Sequence, residues 1–554
     1  MSTYTILAWQ PLLRPPLSDQ EPPMVPQIPL KALACRNSTV AMAALITSDR
    51  PVDSARVVYS DLTSGANVIR ESAIRTRLVG TVKTPEVGGV CDPLFDVEEF
   101  AIDKSTSLCI GVTVPKDAPA GRYAGSIALV IDGEEVAHND IAVDVANVVL
   151  PDVRDWAFFL NVWMNPAAIA RGHNTPLWSD EHFEALRPYI ADLAAHGQKT
   201  VVAPICYQPW GSRTRDPYPN LIAWTRRGDD YEFDFTAFDR YVGLHAECGI
   251  DKSIHCYSIV QIPFISDVST IEYTDVDTGE TRLIETHVGD DQYVKAWGSF
   301  LAAFADHLNA RGWMPKTHVA FPVKPEEVMG RLVDFLSRHA RGFRIGVTSN
   351  TTNEVYESAE DMTVEIGFDK KGVTDTIPPS RSAMGVAELL DPTCFCSTTK
   401  KCPEKTSTTF FVCCAPEHPN TFVHSPLVES RALPFLVLQG GFDGFVRWAY
   451  NDWPDNPFEN PAWGDWPTGD TFLVYPRQNG PVSSLRWEQL REGIQDYELA
   501  MIALANIRTT DEMVDYEQAV TLACRDLDGG AKAIGDIEIA RRLLIPIAEH
   551  QEER

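Results

Sequence analysis

Hydrophobic and polar positions alternate with a period of two over much of the first 150 residues. Residues 107–114 alternate, 115–121 carry turn residues, 123–130 alternate again, and Asp132-Gly133 marks a hairpin before the run 141–145. Short strands at this spacing predict an antiparallel β-sandwich over residues 1–152, with Leu150-Pro151-Asp152 as its exit.

From about residue 155 the rhythm changes. Residues 158–163 form an apolar run suited to a buried strand. Ser179 or Asp180 then caps a helix that carries Phe183, Leu186, Ile190 and Leu193 on one face and stops at Gly197. Strand and helix signals keep alternating through 200–205, 255–257, 297–308, 318–322, 344–347, 410–412 and 444–448. This alternation predicts a (β/α)₈ TIM-like barrel over residues 153–500, followed by a helical extension over 501–554 packed on the barrel. No glycine-rich dinucleotide or phosphate loop favours an open doubly wound sheet. Residues 265–290 are polar and read as a rim loop.

Composition narrows the function. With 48 basic and 77 acidic residues the net charge is −29, which repels phosphate backbones and anionic lipid headgroups. Nucleic acid and membrane are therefore excluded as expected partners, and a neutral small molecule is favoured. The first residues show no basic start, apolar core or cleavage site, and no stretch has the roughly 20 apolar residues of a membrane helix. Together with 12 Cys, this predicts a cytoplasmic protein with reduced thiols, able to act as a homo-oligomer.

In a parallel barrel, function gathers where strands end. Those positions hold Trp163, Trp210, His255, Tyr257, Lys324, Asn350, Trp448, Tyr450, Asn451 and Trp453. Aromatic faces stack on sugar rings and amides read hydroxyls, so these ten are the candidate substrate-binding residues for a small carbohydrate. Each has a plainer alternative: an aromatic cluster under the rim, or a hydrogen-bonded structural histidine. Arg447 is expected to pair with a barrel acid. Gly469-Asp470, Arg491-Glu492, Asp496 and Glu498 read as fold-determining.

Several segments form a recognisable pattern. Near the start of the predicted barrel they include Leu177-Trp178-Ser179-Asp180-Glu181-His182-Phe183, Gln208-Pro209-Trp210, Asp216-Pro217-Tyr218-Pro219 and His255-Cys256-Tyr257-Ser258. Nearer the end they include Gly444-Phe445-Val446-Arg447-Trp448-Ala449-Tyr450-Asn451, Gly469-Asp470-Thr471-Phe472 and Leu490-Arg491-Glu492-Gly493-Ile494-Gln495-Asp496-Tyr497-Glu498. Together these segments resemble a bacterial family long called domain of unknown function 4091, related to glycoside hydrolase family 123. The resemblance implies a β-sandwich plus barrel and, for its better-known branch, β-N-acetylgalactosaminidase activity. In that branch the sugar's own acetamide attacks, an Asp orients it, and the adjacent Glu protonates the leaving oxygen.

Aligned with that Asp-Glu-Pro, this chain reads Val323-Lys324-Pro325. Valine accepts no hydrogen bond and lysine supplies no carboxylate, so the branch's mechanism is not expected here. Glu326 or Glu327 is one source of a replacement acid, although acids also suit the first turn of a helix for its dipole alone. Cysteine chemistry is another. Cys402, Glu404, Cys413 and Cys414 offer three thiols and a carboxylate to zinc, the one candidate cofactor. A thiolate nucleophile, Cys413 or Cys414, has precedent among zinc-dependent enzymes acting on β-linked arabinofuranose. The function predicted is therefore a glycoside hydrolase with a non-standard catalytic constellation, acting on a small imported oligosaccharide or glycoside. The alternative is a catalytically inactive carbohydrate-binding or regulatory protein on the same scaffold.

Overall fold

The computed structural model describes residues 3–263, 266–349, 361–365, 407–527 and 529–550. Asn350, Cys402 and Glu404 lie outside these.

Two sheets enclose the N-terminal core. One is six-stranded and runs Tyr4–Trp9, Ser38–Ser48, Ser105–Val114, Ile74–Thr84, Gly88–Asp96 and then Ser483–Ser484. The other is built on Leu30–Arg36, Glu134–Val149, Gly121–Ile131, Val52–Tyr59 and Phe100–Ile102. Ile6, Met42, Ile46, Leu108, Ile110, Ile127, Leu129, Ile141 and Val143 fill the space between. The hairpin expected at Asp132-Gly133 joins Gly121–Ile131 to Glu134–Val149. Both turn residues have positive φ, 53° and 83°, which suits the strands' right-handed twist. Two features depart from an all-antiparallel unit of residues 1–152. Leu30–Arg36 pairs parallel with Glu134–Val149. Ser483–Ser484 returns from far down the chain to pair with Leu94 and Pro93.

A third sheet has eight parallel strands: β1 (Phe159–Val162), β2 (Thr200–Pro204), β3 (Ser253–Tyr257), β4 (Thr317–Pro322), β5 (Arg344–Ser349), β6 (Asp361–Glu365), β7 (Ser407–Phe411) and β8 (Gly444–Arg447). Their spatial order is β1-β8-β7-β6-β5-β4-β3-β2. A parallel bridge from Leu160 to Gln198 connects the first of these to the approach of the last. The Lys199 N–H also donates to Leu160 O at 2.9 Å. Every residue of β2 and β3 is buried, as a parallel sheet covered on both faces requires.

Helices cover this sheet: α1 (Pro166–His173), α2 (Asp180–Ala195), α3 (Thr236–Glu247), α4 (Asp291–Arg311), α5 (Glu326–His339), α6 (Leu427–Gly440) and α7 (Leu485–Asn506). In α2 the Ser179 hydroxyl accepts from His182 N–H, the cap expected from sequence. Two further helices, α8 (Thr510–Ala523) and α9 (Ala531–Ala548), share the same large core. No helix among the described residues is long and apolar enough to cross a membrane.

The predicted rim loop at 265–290 contains a β-hairpin instead. Val268–Asp275 and Thr281–His287 pair antiparallel and join Ala223–Arg227 and Asp230–Asp234 in a four-stranded sheet. The inward positions of Val268–Asp275 include Ser269, whose hydroxyl accepts from Trp297 Nε1 at 2.9 Å. A polar residue facing the core hides the period of two.

Candidate active site

Where the parallel strands end, their side chains pack into a buried aromatic cluster, the well. Trp163 follows β1, Trp210 and Tyr218 stand on the loop after β2, and Tyr257 closes β3. Trp163 and Trp210 meet edge to face at 5.2 Å, and Trp163 and Tyr257 lie tilted to each other at 4.8 Å. Trp210 stacks on Tyr218 at 4.1 Å. Val202, Ala320 and Val446, one each from β2, β4 and β8, form the floor, with Ile262, Phe411 and Trp448 packed at its edge.

Two polar atoms in this well stand out. The Trp163 indole N–H and the Tyr218 hydroxyl are buried without a hydrogen-bond partner among the described residues. An unmade buried hydrogen bond costs about 1–3 kcal/mol, so both groups favour a ligand that offers them oxygen. Tyr257 differs, since its hydroxyl lies 3.2 Å from Thr348 Oγ1.

Trp448 is partly exposed beside Trp466 and donates through Nε1 to Asp470 at 3.1 Å. Asp470 also takes a hydrogen bond from Arg447 at 2.7 Å, the ion pair expected for that arginine. Burial pushes the Asp470 carboxyl up and Arg447 opposes it.

Lys324 directly follows β4 through Val323. Its ammonium does not face open solvent: the residue is 2% exposed, donating to Gln261 O and, at 2.8 Å, to Pro263 O. Ile262 N–H in turn donates to Pro209 O at 2.8 Å. Lys324 thus clamps the loop after β3, and with it Ile262, against the well. Burial lowers its pKa to about 7; Asp267 works against that shift and Arg213 with it.

The remaining predicted residues go elsewhere. Glu326 and Glu327 are exposed in the first turn of α5, where Glu327 lies 3.9 Å from Arg331. His255 lies on β3 below the aromatic layer, its ring 4.6 Å from that of His318. Burial, with Arg344 as the lesser cause, lowers its pKa to about 3, so it is neutral at neutral pH. Tyr450 and Trp453 belong to the core beneath the helices rather than to the well. Tyr450 donates to Asp192 at 2.6 Å, and Trp453 donates to Val474 O at 2.6 Å. Asn451 exchanges hydrogen bonds with the Asn165 backbone, accepting at 2.7 Å and donating at 2.9 Å.

Cys413 and Cys414 follow β7 with their sulfurs 3.9 Å apart. The hydrogen bond with Cys414 and burial push the Cys413 thiol up, away from the thiolate. Among the described residues, no group of three or more His, Cys, Asp or Glu could hold a metal ion. With Cys402 and Glu404 outside the described residues, only two of the four expected zinc ligands have a described place.

The reading from sequence passed over Tyr218, Asn165, Asp216, Asp452 and Ile262 as site residues. Tyr218 carried a signal, since prolines on both sides stiffen the backbone that presents it.

Comparison with known families now bears on this geometry. The family model described as the glycoside hydrolase 123 catalytic domain matches residues 163–503. The chain belongs to glycoside hydrolase family 123. It is a glycosidase, and the matched region begins at Trp163 in the well. A solved family 123 glycoside hydrolase from Clostridium perfringens, whose structural analysis concerns glycolipid glycan hydrolysis, superposes with a TM-score of 0.79. The match covers 100% of this family 123 chain and 98% of that one at 21% identity, which establishes the shared fold. A maltogenic α-amylase from Thermotoga neapolitana reaches a TM-score of only 0.33 at 8% identity, over 62% of this chain and 76% of that one. A β-glucuronidase from Ruminococcus gnavus reaches 0.31 at 8% identity, over 89% and 68%. Neither bears on the fold. No curated protein sequence matches the chain.

Proposed function

We propose that this glycosidase binds one sugar ring against Trp163, Trp210, Tyr257 and Trp448 and cleaves its glycosidic bond in a small oligosaccharide or glycoside. The observation that carries the reading is the pair of orphaned buried donors, Trp163 Nε1 and Tyr218 OH, within an aromatic well at the strand ends. Indole and phenol groups that lack partners suit the hydroxyls of a neutral sugar. We also infer that the eight strands close as a (β/α)₈ barrel, a reading supported by the Leu160–Gln198 bridge.

The chemistry differs from acetamide assistance by an Asp-Glu pair after β4, because Val323 and Lys324 stand there. The acids described nearest the well are engaged. Arg171 holds Asp216, backbone N–H groups hold Asp452, and Arg447 with Trp448 holds Asp470. Lys324, at the end of β4, is itself held by Gln261 O and Pro263 O, and the Cys413–Cys414 pair after β7 offers thiol chemistry instead. The thiols need a metal or a cationic neighbour to become nucleophiles.

The deciding experiment is a panel of 4-nitrophenyl glycosides, furanosides and N-acetylhexosaminides included, with the purified chain. Release of nitrophenol from one class names the sugar, and no release from any member removes the reading. The zinc variant is tested by metal content. One equivalent of zinc, lost with activity in Cys413→Ser, supports it; no bound metal and unchanged turnover in Cys413→Ser and Cys414→Ser remove it.

Two substitutions separate the well from the helix start. Tyr218→Phe should raise KM about 5–10-fold, roughly one hydrogen bond, while leaving stability unchanged or higher, because an unsatisfied buried group is removed. Urea midpoints beside steady-state kinetics check both halves. Glu326→Gln and Glu327→Gln should leave kcat/KM within about 2-fold and stability within about 0.5 kcal/mol, as solvated surface positions do. A large loss of kcat in either would instead make it the missing acid.

A further inference from the structure

Beside the aromatic cluster lies a buried carboxylate, Asp452, with Tyr218 among its neighbours. Asp452 is 0% exposed and sits on the segment after β8. Its Oδ2 accepts from Arg215 N–H at 2.9 Å, and its Oδ1 accepts from Asn165 Nδ2 at 3.2 Å and Asp216 N–H at 3.4 Å. Arg215 and Asp216 belong to the loop after β2, Asn165 to the segment after β1. One carboxylate therefore joins the ends of three strands.

The surrounding groups hold the same three segments. Asn165 Nδ2 also donates to Asp216 O at 2.8 Å, and Asn451 brackets the Asn165 backbone. Arg171 donates to both Asp216 oxygens at 2.9 Å and to Trp453 O at 2.7 Å. Two residues beyond Asp216 stands Tyr218, stacked on Trp210, and two residues before Asn165 stands Trp163.

We propose that Asp452 is a positioning residue of the sugar well, fixing the loop that carries Tyr218 against Trp163 and acting on substrate only through those rings. This rests on the reading of the well as the sugar site. The charged and titratable groups facing it are Asp216, Tyr218 and Arg215 from the loop after β2, Arg171 from α1 and Asp455 on its own segment. Burial, chiefly, and the neighbouring Asp216 charge raise the Asp452 pKa to about 6, against the pull of its N–H donors. A protonated Asp452 brings an O–H to a site furnished with donors, so one of the three hydrogen bonds is lost as pH falls through that value. The loop then loosens, and KM rises toward acid pH while kcat does not follow.

The test is Asp452→Asn in the full chain, assayed from pH 5 to 8 on the 4-nitrophenyl glycoside that the wild type hydrolyses. Acrylamide quenching of tryptophan and near-UV circular dichroism are recorded without substrate. The amide keeps an acceptor oxygen but sets its NH₂ against N–H donors. Expected are a KM at least 10-fold higher, a kcat within about 3-fold, a flattened KM profile below pH 6, and more quenchable tryptophan. Asp53→Asn, an exposed change on the N-terminal strand Val52–Tyr59, should change none of these. Wild-type KM and quenching in Asp452→Asn overturn the proposal, and so does a fall in kcat at constant KM, which would put Asp452 in the chemistry. If Asp452→Asn does not fold, the partly exposed Arg171→Met, which frees Asp216 and Trp453 from the same network, must raise KM and quenching instead; unchanged values there also overturn the proposal. If the wild type cleaves no glycoside, the sugar-site reading fails separately, and the substrate-free spectra still decide whether Asp452 orders the well.

Discussion

Arg447→Met is expected to destabilise the fold by about 3–5 kcal/mol, the usual cost of leaving one partner of a buried ion pair behind. Arg447 and Asp470 are both 0% exposed, and the guanidinium donates to Val412 O at 2.7 Å as well as to Asp470 O at 3.0 Å. Methionine fills similar volume but leaves Asp470 charged and two carbonyls without a donor. With its cation gone, Asp470 binds a proton more tightly folded than unfolded. Stability is then retained at low pH and lost as pH rises through the carboxyl's raised value. The variant should therefore suffer more at pH 8 than at pH 5, as read from urea midpoints. The double variant Arg447→Met/Asp470→Leu should recover part of the loss, because the stranded charge is gone. A single-variant loss under about 1 kcal/mol would mean that water or another cation reaches Asp470.

The second large effect concerns Lys324. Placing a glutamate there should abolish activity rather than confer N-acetylhexosaminidase chemistry. The ammonium points at two carbonyl oxygens, Gln261 O and Pro263 O. A carboxylate in that place is repelled by both, so it stays protonated or pushes the loop after β3 away. Ile262 leaves the well with that loop, and a displacement of about 1 Å at a site of this kind can cost roughly 100-fold in rate. We expect kcat/KM to fall at least that far on every glycoside the wild type cleaves. Lys324→Met keeps the bulk and strands the carbonyls, a milder loss of about 1–3 kcal/mol in stability. A second signature distinguishes it. Lys324 holds its proton less tightly folded than unfolded, so wild-type stability rises with pH between about 7 and the ordinary lysine range. That contribution should be missing in Lys324→Met. Gain of N-acetylhexosaminidase activity in Lys324→Glu would refute this account of the clamp.

What could be read from sequence follows from how each element is buried. The strand at 105–114 alternates because Leu108, Ile110, Val112 and Val114 line the sandwich core, although its other face is largely buried as well, and β2 and β3 read as apolar runs because every residue in them is buried. The cap of α2 was legible because its whole signal lies within four residues. Long-range pairings left no local trace: the parallel partner of Leu30–Arg36 lies over 100 residues away, and Asp452 meets the Arg215 backbone across 237 residues. Within the site, Trp448 and Trp453 looked equivalent, yet one edges the well and the other enters the helical core. Past β8 the chain is irregular, and no period shows which way a ring points. Lys324 was not legible as a clamp, since its acceptors are backbone carbonyls that any sequence supplies.

The two-residue strand Ser483–Ser484 has a consequence for biosynthesis. It completes a sheet whose other five strands end by Val114. At 5–20 residues per second, the ribosome delivers it roughly 20–80 s after its neighbour Gly88–Asp96 has emerged. During that interval the rim of the nascent sheet is open to pairing with another chain. Pro93, which offers no N–H, sits on that rim opposite Ser484, the kind of residue that discourages such pairing. The sandwich therefore reaches its finished form only once the catalytic region has been made.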